Sequence, residues 1–362
     1  MKKQLVLLLV SLLMGAGCGS GDPDPLAVLA EFQAEIEKDH DGNVISVDLG
    51  FTQVGDSQLR YLQEFPALQI LRLPSTRITD AGLGHLEGLK SLEQLDLRET
   101  QVTDQGLEQV RELKQLTHLR LNGTQLTDAG LKHVAELKLL RVLHCDETSI
   151  GDAGVEQLQF LVHLEQLHLV DTRLTDAGMV YLKDLSRLEE LSVEATQVTA
   201  TGLVHLKNLK KLKVLYLGGT SLGDAGLDHL QGLTQLQTLW LDATGIGDAG
   251  LESLAGLRSL QGLVLNNTQV TDAGLQHIQG LTNLSGLSLD GTRITDAGLV
   301  HLAGLTSLQD LHLNDTQVSD IGLQHLRVLT RLRELNLYGT QVTDTGVARL
   351  RKVLPQVKIA HQ

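Results

Sequence analysis

At 362 residues, with 44 acidic against 30 basic side chains and a formal charge of −14, the chain lacks the clustered Lys and Arg that phosphate backbones require, which excludes nucleic acid as a partner. Apolar residues make up 42% of it but aromatic residues only 2%, so its core is built from many small layers of Leu, Val and Ile rather than around a few large rings.

Lys2 and Lys3 precede the apolar run Leu5 to Val10 and then Ser11-Leu12-Leu13-Met14, and Gly15, Ala16 and Gly17 lead into Cys18. Residues 1–17 read as a cleaved export signal, too short to persist as a membrane-spanning helix. The segment resembles bacterial lipoprotein signals, in which the closing cysteine is lipidated and becomes the mature N-terminus. That resemblance implies a lipid on Cys18 and a chain anchored in the periplasm, at the outer membrane or on the cell surface of a bacterium. Gly15 departs from the Leu that the pattern prefers three residues before the cysteine, and the alternative is a simple signal peptide with Cys18 incidental. Without Lys2 and Lys3 the 30 basic side chains fall to 28 against 44 acids, a net charge of −16, so an anionic membrane would be engaged only through the lipid. The other cysteine, Cys145, stands where other repeats carry Leu or Val and reads as a buried small hydrophobe, which leaves no disulfide framework.

Residues 18–25 form a tether, Cys-Gly-Ser-Gly-Asp-Pro-Asp-Pro. Residues 26–43 are expected to be a capping helix and turn: Leu26, Leu29, Phe32 and Ile36 fall at spacings of three and four, Asp24 can cap the helix, and Pro25 suits its first turn. Such a helix would cover the first repeat of an array.

From Val44 to Pro355 a 24-residue unit recurs thirteen times without insertion or deletion, L-x-x-L-x-L-x-x-T-x-V-T-D-A-G-L-x-x-L-x-x-L-x-x. Position 9 is threonine in every copy, from Thr52 to Thr340, and position 13 is aspartate in all but one, Ala200 being the exception. Positions 4 and 6 alternate with variable residues as in a strand, whereas positions 16, 19 and 22 recur at helical spacing. Position 12 is Thr, Ser or Gly, each an acceptable helix cap, and Asp at 13 suits the positive end of a helix.

These residues resemble the leucine-rich-repeat family, and in particular the TDAGL variety common in exported bacterial proteins, seen at Thr79 to Leu83, Thr127 to Leu131 and Thr295 to Leu299. The resemblance implies an α/β fold, a right-handed leucine-rich-repeat solenoid or horseshoe with a parallel concave sheet and short convex helices, closed by residues 356–362. Similar repeats occur in eukaryotic F-box receptors, but no F-box-like segment precedes them, so that role is not carried over. Where the family places Asn at position 9, threonine here is expected to point inward as a structural ladder.

No phosphate-cradling glycine loop, metal-protease helix or nucleophile elbow occurs, so no enzyme activity and no cofactor are expected. Seven histidines, His85, His133, His205, His229, His277, His301 and His325, share position 18 and read as a solvated helix face. His144 and His168 occupy one strand position in neighbouring repeats near His118 and Asp146, a weak candidate for a metal site.

The concave face, formed by positions 3, 5, 7 and 8, carries thirteen acids, three arginines (Arg72, Arg98 and Arg120) and no lysine. Trp240, the sole tryptophan, and Tyr216 share position 5 in adjacent repeats, with Val264 beyond them and Val214 and Thr238 beside them at position 3. Glu190, Glu194 and Asp242 ring this patch. The expected function is a non-catalytic, protein-binding scaffold whose partner offers a basic and partly apolar surface; a structural envelope spacer and a carbohydrate- or metal-ion-binding lipoprotein are the alternatives.

Overall fold

The computed structural model describes residues 23–362. The export signal, Cys18 and residues 19–22 of the tether lie outside the described residues.

Each repeat contributes one short strand from positions 3–5, such as Ile70–Arg72 or Thr238–Trp240, and the thirteen strands lie side by side in chain order, each parallel to the next. The register is 24 residues throughout, so like positions sit beside one another: Ser192, Tyr216, Trp240 and Val264 follow in a single row. Alternation turns position 4 inward and positions 3 and 5 outward. In the ninth repeat Leu236, Leu239, Leu241, Ile246, Leu251, Leu254 and Leu257 are all fully buried, and the same seven positions build the other layers of one continuous core, except at position 22 of the two end repeats, where Phe65 is half-buried and Val353 exposed. No layer is closed by itself, because its Leu side chains rest on those of its neighbours, which is why the array stabilises as a stack.

After the strand, position 8 takes a left-handed backbone in all thirteen repeats, as at Phe51, Glu99, Asp171 and Ala243 (φ 59, 55, 50 and 54°), and this turns the chain away from the sheet. The position 9 hydroxyl then donates to the carbonyl of position 6 in its own repeat, as Thr124 does to Leu121 and Thr268 to Leu265 at 2.5 and 2.7 Å, with both threonines buried. The threonines therefore point inward as expected, but each one closes its own turn rather than joining one repeat to the next.

The link between repeats is made by position 13. The Asp56 carboxylate accepts from the Thr79 backbone N–H at 2.8 Å and from its hydroxyl at 2.7 Å, 23 residues on, and Asp80 and Thr103, Asp152 and Thr175, and Asp272 and Thr295 repeat the pair. The same threonine hydroxyl accepts from the N–H two residues later and caps the short outer helix, as Thr79 does for Ala81. These aspartates do stand in the first turn of their own short helices, as expected, and their carboxylates in addition bond across the stack. The glycine at position 15 makes room for this bond: a Cβ on Gly250 would fall 2.7 Å from Asp224 Oδ1.

At the N-terminus, Asp24 caps a helix over Pro25–Glu31, and Leu29 is fully buried. The helix ends sooner than the apolar spacing predicts. Gln33 adopts a left-handed φ of 57°, and Glu35–Lys38, including Ile36, forms a strand antiparallel to Val44–Asp48. An open parallel edge would leave a row of backbone groups unpaired, and this hairpin covers it. At the other end Lys358–His361 pairs with Glu334–Leu337, completing a sheet of fifteen strands.

Candidate functional site

The outward side chains of position 5 make a row of rings across the middle of the sheet. His144 and His168 stack at 4.0 Å with planes 3° apart, His168 meets the Tyr216 edge at 6.1 Å across the small Ser192, and Tyr216 and Trp240 lie 5.5 Å apart, tilted by 58°. Trp240 is 40% exposed, whereas Val214, Tyr216, Thr238 and Val264 around it are half-buried. The sequence-predicted patch is therefore contiguous, and the two histidines extend it.

The acids around the row differ in their circumstances. Glu190 receives His168 Nε2 at 2.8 Å, and this bond, working against burial, holds its carboxyl below the ordinary range. Glu194 receives only Ser192 Oγ at 3.3 Å; burial first, and then the charge of Asp242, raise its pKa. Burial, followed by the charges of Glu190 and Glu194, pushes the Tyr216 phenol up, so it stays protonated at neutral pH. Asp242 Oδ1 is shut off from solvent without a hydrogen-bond partner, as are Asn122 Oδ1 and His144 Nε2. All three atoms belong to outward positions of the sheet. Unmet polar atoms of this kind cost stability and are rare in settled interiors.

Within the thirteen repeats basic charge on the face is confined to the N-terminal end, and Lys358 of the closing strand, beside Glu334, adds one lysine at the other end. Arg98 clamps Asp96 with bonds of 2.7 and 2.9 Å, and Arg72 lies 3.8 Å from Asp48. From the fifth to the thirteenth repeat positions 3, 5, 7 and 8 hold no Lys or Arg.

The four metal candidates are not brought together as ligands. His144 and His168 lie face to face, His168 Nε2 is taken by Glu190, His118 Nδ1 contacts the Thr117 hydroxyl at 2.8 Å, and Asp146 accepts from Asn122 Nδ2 and the Val170 N–H. Among the described residues no three His, Cys, Asp or Glu are grouped to hold a metal ion, the position 18 histidines included. Burial and the charges of neighbouring His168 and Arg120 push His144 down to about 3, which keeps the stacked ring neutral. Cys145 is a buried free thiol, with burial raising its pKa.

Sequence reasoning missed the orphaned Asp242 oxygen. The signal available was Gly218, a position 7 glycine one repeat before an acid at the same position, which opens space beside that acid.

Family models for a leucine-rich repeat region match residues 192–357, and further leucine-rich-repeat models match residues 66–126 and 161–183. The fold is a leucine-rich-repeat solenoid. Among solved structures, this chain is similar to an internalin from Listeria monocytogenes, with 22% identity, 93% of each chain covered and a TM-score of 0.72. A leucine-rich-repeat protein of Leptospira interrogans aligns at 20% identity over 87% of this chain and 89% of its own, with a TM-score of 0.57. At such identities the likeness concerns the fold. A search of curated proteins finds no match.

Proposed function

We propose that this chain is a non-catalytic scaffold that receives another protein on the acidic face of its sheet and is held at a bacterial cell envelope by a lipid on Cys18. Leucine-rich-repeat domains generally act as protein-binding scaffolds, and the observation that carries the reading here is the exposed Trp240 within a continuous ring row, on a face that also leaves three polar atoms unmet. Interfaces concentrate their energy in central aromatic anchors surrounded by groups that exclude water. The thirteen acids of the face, against three arginines at one end, suit a partner that is basic around an apolar tip. Anchoring rests on the sequence of residues 1–18; among the described residues no helix is long and apolar enough to cross a membrane.

A photo-crosslinking residue at position 264 on the sheet face, compared with one at position 207 on an outer helix, tests this in cells that express the protein. A protein adduct formed from 264 and not from 207 is the expected result. Glycan adducts alone would favour the carbohydrate-binding alternative, and equal adducts from both positions would contradict a dedicated face.

A further inference from the structure

Position 7 has a recurrent task along this sheet. Asp146, Asn266, Asp290 and Asn314 each accept the backbone N–H of position 7 in the following repeat, at 2.8, 2.9, 2.7 and 2.8 Å. Asp242 stands at the same position and does not make that bond. Its carboxylate lies over Gly218 in the preceding repeat instead, where a Cβ would meet Oδ1 at 2.6 Å and Oδ2 at 2.9 Å, and Oδ1 has neither solvent nor donor. A carboxylate oxygen so placed costs free energy until a donor reaches it.

Three features show what kind of donor is missing. Glu194 holds position 7 on the far side of Gly218, so two carboxylates flank one glycine, near enough that the charge of Asp242 bears on Glu194. The face supplies no cation near them, since its outward positions hold no Lys or Arg from the fifth to the thirteenth repeat and Lys358 stands on the closing strand, five strands beyond Asp242. Beside the glycine, the exposed Trp240 ring and the Tyr216 ring stand at 58° to each other and offer two π faces. A carboxylate without a donor and another with a single long one, next to an exposed indole, select a cation, and a guanidinium is the cation that forks to carboxylates while stacking on a ring.

We propose that the site between Glu194 and Asp242 and beside Tyr216 and Trp240, a notch once the Asp242 carboxylate turns off Gly218, receives a single arginine side chain of the partner. The proposal rests on the reading of this face as the binding surface and names the group that the surface takes. Asp242 makes none of the structural bonds of its equivalents, so its side chain can turn off Gly218 and bring its oxygens out to the incoming N–H groups.

Trp240 is the sole tryptophan, so its fluorescence reports on the notch directly. The full chain is titrated at low salt with N-acetyl-argininamide and, in parallel, with the uncharged isostere N-acetyl-citrullinamide. A saturable change in emission with the first and not the second is expected. Asp242→Asn combined with Glu194→Gln should weaken binding about tenfold, whereas Asp310→Asn, on the same face three repeats away, should leave it unchanged. Neither notch carboxylate holds the backbone, so the double variant should melt at or above the wild-type temperature, which separates a lost site from a lost fold. No saturable response, an equal response to both compounds, or an unaltered affinity in the double variant would overturn the proposal. If argininamide fails to bind while partner crosslinking at position 264 persists, the arginine notch alone is wrong; if it binds while crosslinking is indifferent to face, the scaffold reading alone is wrong.

Discussion

The position 9 hydroxyl is small, yet it satisfies a carbonyl that the turn would otherwise bury unmet. Thr244, 2% exposed, donates to the Leu241 carbonyl at 2.6 Å, so Thr244→Val keeps the shape and orphans the acceptor. A loss of about 1–2 kcal/mol is expected in denaturant melts. Glycine at position 15 yields a sharper contrast. Gly250→Ala would drive a methyl to 2.7 Å from Asp224 Oδ1, whereas at Gly226 the preceding repeat carries Ala200 and no carboxylate is there, the nearest atom being Leu222 Cβ at 3.1 Å. Gly250→Ala should therefore lower the melting temperature clearly more than Gly226→Ala, and equal losses would contradict the fit between carboxylate and glycine. His144 sets a pH dependence of definite sign. Burial first, then His168 and Arg120, partly opposed by Glu190, bring its folded pKa to about 3 from an ordinary 6.5. Above pH 6.5 the ring is neutral folded or unfolded and contributes nothing. As pH falls from 6.5 towards 3 only the unfolded chain takes the proton, so stability drains by at most about 1.4 kcal/mol per pH unit. His144→Gln should flatten that decline, and an unchanged slope in acid melts would argue against it. The buried state of these positions was legible from repetition; their partners were not, because an Asp and the Gly or Thr it serves lie 23 to 26 residues apart and meet only once the coils stack.

Between elements, the position 13 carboxylates form a second seam, opposite the sheet, and it has one gap. Ala200 offers no acceptor, Gly223 in the next repeat takes a left-handed φ of 55° where its equivalents are extended, and its N–H turns to the Thr244 carbonyl. The short parallel bridges that link the other turns are interrupted from Gly223 to Gly247. The gap lies on the repeats that present Tyr216 and Trp240 on the far side of the coil. Asp176, immediately before it, accepts from the Thr199 N–H, the Thr199 and Thr201 hydroxyls and the Gly202 N–H; burial acts to raise its pKa, but these bonds prevail and hold it low. Asp176→Ala would widen the gap to two repeats, with an expected loss of about 2–3 kcal/mol and faster amide hydrogen exchange over 199–247; wild-type exchange there would contradict the seam. The N-terminal cap shows where apolar spacing misleads. Leu26, Leu29 and Phe32 do lie on or beside the helix, but Ile36 at the next helical interval belongs to a strand, because the open edge of a parallel sheet demands backbone partners that no side-chain pattern records.

For the whole molecule, the solenoid follows from the repeat, since a fixed 24-residue period allows like positions only one arrangement, in rows. The same rule made the ring row readable at Tyr216 and Trp240, and it lets residues far apart in the chain share one face. What the period could not reveal is the departure from it, such as Asp242 turning over Gly218 rather than bonding to the following repeat. Lipid anchoring predicts that Cys18→Ser releases soluble protein or leaves the precursor uncleaved; unchanged membrane fractionation and mass would refute it. The claim that the sheet face binds a protein through Tyr216 and Trp240 is tested most directly by the affinity for the crosslinked partner, measured for wild type, Trp240→Ala and Lys207→Ala alongside their melting temperatures. Trp240→Ala should weaken binding by ~2 kcal/mol or more with little change in melting temperature, and Lys207→Ala, exposed on an outer helix, should change neither. A Trp240→Ala protein that melts lower but binds as tightly as wild type would show that the Tyr216 and Trp240 pair serves the sheet and not a partner.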